Sequence, residues 1–131
     1  MAKRFPNKPL EKINHIPMIV HVLNRAKESK VGDVFVATPD KEIMNIVKKN
    51  GGNVILTKND HPSGSDRVFE AYINKLKDKV DLIINLQGDM PNIKPDDILK
   101  LERLMRKNKC DVGTLASVLK SSREISDKNI V

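Results

Sequence analysis

The sequence predicts an α/β protein with a doubly wound, mostly parallel sheet and helices on both faces. Short apolar runs rich in β-branched residues alternate with amphipathic segments along most of the chain, and this alternation is typical of parallel strands joined by right-handed helical crossovers. The longest run, residues 80–86, is almost continuously apolar and ends in Gln87, Gly88 and Asp89. Such a run predicts a strand buried in the sheet. Ligands bind at the carboxyl ends of such strands, which makes Gln87 and Asp89 candidate site residues, although Asp89 could equally cap a turn.

Length and composition bound the possible functions. A chain of 131 residues is enough for one domain, and its formal charge of +7 is compatible with nucleic-acid binding. Aromatic residues make up only 3%, too few for base-stacking platforms, and a basic surface around a polyphosphate site accounts for the charge equally well. Cys110 is the single cysteine and excludes an internal disulfide. We find no signal-peptide pattern and no apolar run of membrane-spanning length, so we expect a cytoplasmic protein.

The first part of the chain is predicted to be a loop followed by a helix. Residues 1–16 are basic and contain two closely spaced prolines, which predicts an extended loop. Pro17 is suited to the first position of a helix over residues 17–30, whose apolar side chains form one stripe and which Gly32 ends.

Two strands and a crossover helix are predicted next. Residues 33–38 form a short β-branched run, after which Thr38 is placed to cap a helix that ends at Gly51 and Gly52. Residues 53–57 form the following strand.

The remainder begins with a polar loop, residues 58–67. Ser63 or Ser65 is predicted to cap the helix that follows, with its free N–H groups directed towards any bound anion. After the strand at 80–86, Pro95 begins a further helix, and residues 112–118 form a last strand. We therefore assign residues 1–119 to a partial domain and the polar residues 120–131 to a C-terminal segment.

Three segments resemble the motifs of the 3-deoxy-manno-octulosonate (Kdo) cytidylyltransferases. Arg4-Phe5-Pro6-Asn7-Lys8-Pro9-Leu10 is similar to the second half of the family's first basic loop, Ser63-Gly64-Ser65-Asp66-Arg67 to its Ser-Gly-Thr-[Asp/Glu]-Arg motif, and Gln87-Gly88-Asp89-Met90-Pro91 to its Gln-Gly-Asp-Glu-Pro motif. Their order and spacing also match. The resemblance implies a nucleotide-diphospho-sugar transferase-like fold.

The chain also departs from this family pattern. The usual Ala-Thr-Asp is Ala37-Thr38-Pro39-Asp40 here, and Met90 replaces a glutamate. The resemblance covers about half of a typical member, so the fold is expected to be incomplete. By this resemblance, we expect no counterpart of the opening central strand, the first loop arginine, a second metal-binding aspartate, much of the sugar site and the dimer surface of the homodimeric family.

The resemblance implies Mg²⁺-dependent transfer of CMP from CTP to Kdo, with release of pyrophosphate, for lipopolysaccharide biosynthesis. CTP and Kdo are then the partners, with no membrane or nucleic acid. By the same resemblance, Lys8 and Asp89 would carry the catalysis: Arg4 and Lys8 would hold the triphosphate, Asp89 would bind Mg²⁺, and Gln87 would orient the sugar. The nucleotide would also contact the remaining motif residues, Ser63, Gly64, Ser65, Asp66 and Arg67.

Each assignment has a structural alternative. Arg4 and Lys8 could be a frayed basic terminus, and Ser63, Ser65 and Asp66 could only cap a helix. His15 and His21 are expected to be structural, and His61 and Cys110 have no partners at metal-ligand spacing.

Two other functions stay open. The chain could be a catalytically incompetent remnant or one half of a split enzyme of this family, or, more remotely, a basic nucleic-acid-binding domain. We expect residues 1–131 alone not to catalyse the full reaction.

Overall fold

The computed structural model describes residues 8–108 and 110–116, and its first element is a small hairpin. One 3₁₀ turn, Lys8–Leu10, precedes the antiparallel strands β1 (Lys12–Ile13) and β2 (Ile16–Pro17). Asn14 and His15 connect them with φ angles of 49° and 67°, the left-handed conformations that a tight two-residue hairpin turn uses. The prediction of an extended loop is therefore wrong for residues 8–16. The sequence signal was weak because neither strand is longer than two residues.

Helix α1 (Met18–Glu28) anchors this hairpin to the core. Pro17 directly precedes it, in agreement with the predicted helix start. Leu23 is among the most deeply buried side chains, at 2% exposure. On the hairpin side, His21 Nε2 donates to the carbonyl oxygen of Ile13 over 2.9 Å, consistent with the structural role expected for this histidine.

Strands β3 (Phe35–Thr38) and β4 (Asn53–Leu56) form a parallel pair, with helix α2 (Lys41–Lys49) as the crossover. Val36 and Val54 pack on the cluster formed by α1 and α2, in which Val47 is completely buried. Neighbouring side chains of a strand point to opposite faces, so Ala37 and Ile55 face the other way, where they share a cavity wall with helix α3 (Gly64–Ala71). Helices therefore cover both faces of the pair, which confirms the predicted α/β class.

The start of α2 corrects one prediction. Asp40, not Thr38, is the N-cap: its Oδ1 accepts hydrogen bonds from the backbone N–H groups of Glu42 at 2.7 Å and Ile43 at 3.3 Å. Thr38 Oγ1 instead accepts from the N–H of Asp40 at 3.1 Å. Asp40 has an extended backbone (φ −86°, ψ 121°) that brings its carboxylate back over the first turn. This aspartate, displaced by one residue from the family pattern, is thus used by the helix.

The other helices follow the sequence closely. Ser63 caps α3, which continues into one turn of π-helix at Tyr72–Leu76. Helix α4 (Pro95–Lys107) has Pro95 in its first turn, as predicted. In the part of the chain that the structure describes, no helix is long and apolar enough to cross a bilayer.

Within the described residues, the predicted strand at residues 80–86 has no pairing partner. It is not part of either sheet, and among the described residues no backbone–backbone hydrogen bond involves it. Its side chains alternate between partly buried and exposed positions, the two-residue period of an extended chain. The segment has the sequence pattern of a strand but lacks the neighbour that would make it one.

A cavity of about 460 Å³ lies between this segment and β3. Residues 33–37 form one wall and residues 79–88 the other, while α1 and α3 contribute apolar side chains that include Ile19, Val22, Val68 and Ala71. Because β3 pairs only with β4 in the described structure, its second edge also faces this cavity. We call this cavity the strand slot.

The last prediction of a strand, at residues 112–118, is wrong for its described part. Residues 112–116 belong to no strand and are exposed. Residues 117 and 118 and the segment 120–131 lie outside the described residues, so the proposed domain limits stay predictions.

We expect an added strand to fill the slot and stabilise the chain. Fusing the opening strand of a full-length relative ahead of Met1 should raise the melting temperature by roughly 10 °C, because several backbone hydrogen bonds of about 1 kcal/mol each would form. The measurement is thermal unfolding followed by circular dichroism. The control is the same fusion with prolines at alternate strand positions, which cannot pair on both edges. Equal melting temperatures for the two fusions would contradict the assignment of the slot.

Candidate functional site

Lys8 and Asp89, the two residues predicted to carry catalysis, contact each other directly. Lys8 Nζ lies 2.7 Å from Asp89 Oδ2, although 81 residues separate them in the chain. Both side chains are nearly half exposed, at 48% and 43%. An ion pair this exposed is held weakly, so both groups remain available to a ligand. Arg4, predicted to act with Lys8, lies outside the described residues.

The turn that carries Asp89 is fixed from two sides. The N–H of Met90 donates to the carbonyl of Gln87 at 3.3 Å and closes the turn. On the inner side, a Cβ at position 88 would lie 3.2 Å from Ile19 Cδ1, so a larger residue would require a shift of a few tenths of an ångström at this contact. The glycine of the motif thus permits a close approach that sets the position of Asp89.

Gln87 meets the second predicted motif. Its side-chain amide lies over Gly64, where a Cβ would be 3.4 Å from Gln87 Nε2. Two residues earlier, Asn85 Nδ2 donates to Ser65 Oγ at 3.4 Å. The start of α3 and the end of the 80–88 segment therefore lie side by side.

Ser63 and Asp66 form the cap of α3. Ser63 Oγ accepts a hydrogen bond from the N–H of Asp66 at 3.2 Å, and the two side chains also contact each other. The capping role predicted for Ser63 is confirmed, while Ser65 instead contacts Asn85. Capping leaves the positive end of the helix dipole at this edge, where an anion is favoured.

Arg67 is placed differently from the other motif residues. Its Nη1 donates to Thr57 Oγ1 at 3.0 Å and to the carbonyl oxygen of Lys58 at 3.2 Å. In this structure the guanidinium therefore holds the end of β4 against α3. A role as partner of a phosphate or carboxylate stays a prediction.

Asn85 is the residue of this cluster that the sequence analysis missed. It precedes Gln87 by two positions, and in an extended segment both side chains point to the same face. The two-residue period of the segment therefore indicates that Asn85 lies on the same face as Gln87.

Among the described residues, no group of three His, Cys, Asp or Glu side chains is arranged to hold a metal ion. Asp89 is the carboxylate within the predicted motifs that lies beside Lys8. Mg²⁺ commonly binds through one or two carboxylates together with substrate phosphates and water. Asp89 has an exposed carboxylate whose oxygens can serve as metal ligands. It therefore fits this mode of binding.

Known proteins are similar to this chain in sequence and in structure. A family model described as "Cytidylyltransferase" matches residues 2–131. The 3-deoxy-manno-octulosonate cytidylyltransferases of Nitrobacter winogradskyi and Rhodopseudomonas palustris are each 45% identical over 132 residues, covering 99% of this chain. That alignment covers 52% and 54% of the two relatives, so the chain spans about half the length of the curated relatives it matches.

A solved structure gives the same result. CMP:2-keto-3-deoxy-manno-octonic acid synthetase, determined in complex with CTP, matches with a TM-score of 0.76 and 42% identity, over 83% of this chain and 44% of that one. The match confirms the predicted fold. The family model covers nearly the whole chain, and the chain therefore belongs to the cytidylyltransferase family.

Proposed function

We propose that the chain is the CTP-handling part of a 3-deoxy-manno-octulosonate cytidylyltransferase, which transfers CMP from CTP to Kdo for lipopolysaccharide biosynthesis. The observation that carries the proposal is the convergence of three distant motifs: Lys8 contacts Asp89, and Gln87 lies over Gly64. The names of the relatives and the CTP in the similar solved structure support the choice of nucleotide and sugar. We place the reaction in the cytoplasm because it consumes CTP.

The proposed reaction is an in-line displacement at phosphorus. The anomeric hydroxyl of Kdo loses its proton and attacks the α-phosphorus of CTP. The bond between the α-phosphorus and the oxygen that bridges it to the β-phosphorus then breaks, and pyrophosphate is released. Such a reaction depends on positioned groups and neutralised phosphate charge. Lys8 is placed to pair with the triphosphate, and the start of α3 to face it with N–H groups. Gln87, beside Gly64, orients the sugar acid.

Asp89 would hold Mg²⁺ together with the nucleotide phosphates. When bound, the ion would withdraw charge from the phosphate oxygens. The ammonium of Lys8 now lies where it neutralises Asp89. On binding of the nucleotide, Lys8 would exchange this carboxylate for a phosphate. Because both side chains of the pair are exposed, that exchange costs little free energy.

A second candidate is one half of a split enzyme. The strand slot favours it, because a strand from another chain could fill this cavity as well as a strand of the same chain. In that case, activity would require mixing two polypeptides.

Asp89→Asn is expected to abolish the contribution of Mg²⁺ to CTP binding. The amide keeps the size of the side chain but loses the charge, so affinity for CTP with Mg²⁺ should fall by roughly tenfold or more. Calorimetric titration measures this, with Asp96→Asn, at an exposed position in the first turn of α4, as the matched control. Equal affinities for wild type and Asp89→Asn would remove Asp89 from the site.

Lys8→Met separates the two roles of the lysine. Removing a positive charge 2.7 Å from Asp89 should strengthen binding of Mg²⁺ alone, because the carboxylate no longer has a competing cation. The same change should weaken binding of CTP, which loses a phosphate partner. Opposite shifts in two titrations are the expected result, and unchanged affinities for both ligands would contradict it.

CTP should be preferred over ATP and UTP. A basic surface alone binds all three triphosphates similarly, whereas a cytidine site protects the fold more strongly with CTP. Thermal shifts with each nucleotide at equal Mg²⁺ concentration measure the preference. Equal shifts would reduce the proposal to general polyphosphate binding.

Residues 1–131 alone are expected to release no pyrophosphate from CTP and Kdo above background. Within the described residues the 80–88 segment has no strand partner, so only side-chain and turn contacts fix the turn at Asp89, and we expect these to be insufficient for catalysis. A coupled pyrophosphate assay, with a full-length relative as the positive control, tests this. Robust turnover would mean that the present residues suffice.

A further inference from the structure

The loop between β4 and α3 is held by two side chains of α3. Glu70 Oε2 accepts a hydrogen bond from the backbone N–H of Lys58 at 2.9 Å, and Arg67 Nη1 donates to the carbonyl of the same residue at 3.2 Å. Positions 67 and 70 lie on one face of the helix. The N–H and C=O groups of Lys58 are thus both bound to that face.

His61 joins the same carboxylate. Its Nε2 contacts Glu70 Oε2, and the two side chains are only 15% and 18% exposed. The hydrogen bonds from His61 and from the N–H of Lys58 hold the pKa of Glu70 below its usual value. Glu70 is therefore ionised at neutral pH and can accept both bonds. None of the roles assigned so far uses these two residues.

The position of this pair relates it to the site. Ser63, the N-cap of α3, lies two residues after His61. Its neighbours Gly64 and Ser65 contact Gln87 and Asn85, respectively. A shift of the loop at residues 58–62 would move the start of α3 along these contacts. The loop that Glu70 and Arg67 hold therefore leads directly into the capped end of α3, which lies beside the end of the 80–88 segment.

We propose that His61 and Glu70 are positioning residues that hold the start of α3 against the 85–89 turn and so form the nucleotide site. This rests on the proposed function for its ligand, CTP, but not for its geometry. Neither residue is expected to touch the nucleotide. A purely structural role would stabilise the loop without affecting residues across the contact.

Hydrogen–deuterium exchange on the whole chain tests the geometry. Glu70→Ala should accelerate exchange by roughly tenfold, the effect of losing a hydrogen bond to a charged group, both in residues 58–66 and across the contact in residues 85–89. Glu70→Gln keeps an acceptor for the N–H of Lys58 and should stay close to wild type. Glu42→Ala, at an exposed position on α2, is the matched control.

CTP titration of the same proteins, well below their melting temperatures, tests the consequence. We expect Glu70→Ala to weaken CTP binding by roughly tenfold, with Glu70→Gln restoring most of it. If Glu70→Ala does not fold, His61→Ala replaces it, because the bond from Lys58 to Glu70 is then retained.

The outcomes are distinct. Faster exchange confined to residues 58–66 with unchanged CTP affinity overturns the proposal, as does an Ala variant equal to wild type in both measurements. If the wild-type chain binds no CTP, the proposed function fails, and the exchange of residues 85–89 in Glu70→Ala still decides whether the pair positions the two segments.

Discussion

Within the described residues the backbone of residues 80–86 has no hydrogen-bonded neighbouring strand, and this constraint governs the structure around it. Buried N–H and C=O groups are costly when unpaired, and the segment lies along the strand slot. Its two ends are then held by side chains. At one end, Arg106 binds Asp81 over 2.9 Å and also contacts Glu102. The hydrogen bond from Arg106 holds the pKa of Asp81 below its usual value.

The other end of the segment is held at the site itself. Gly88 packs against Ile19, and Lys8 pairs with Asp89. The same contacts that keep the segment extended therefore also fix the positions of Gln87 and Asp89. This links folding to function: whatever fills the slot would stabilise the strand and, through Gly88, the turn that carries Asp89.

Local signals in the sequence were sufficient for the helices and for the grouping of the motifs. Pro95 and Ser63 mark helix starts by their own chemistry, and the apolar runs gave the parallel pair β3 and β4. The predictions from sequence were wrong where contacts with a neighbouring segment decide the local structure. Residues 80–86 look like a strand, but a strand also needs a partner. Thr38 and Asp40 are both good caps, and only the backbone around Pro39 selects Asp40. The role of Glu70 depends on contacts with Lys58 and His61 that no local pattern encodes.

The exposure of the Lys8–Asp89 pair has a physical consequence for a site of this kind. A buried ion pair would have to be broken at a high cost before a metal or phosphate could bind, whereas an exposed pair exchanges partners readily. The charge of +7 acts in the same direction, since it attracts a polyphosphate before any specific contact forms. In this structure the ion pair links the 3₁₀ turn at Lys8 to the turn at Asp89. The stronger bonds lie beside the site, between α3 and the residues Lys58 and His61. They need not break for a nucleotide to bind.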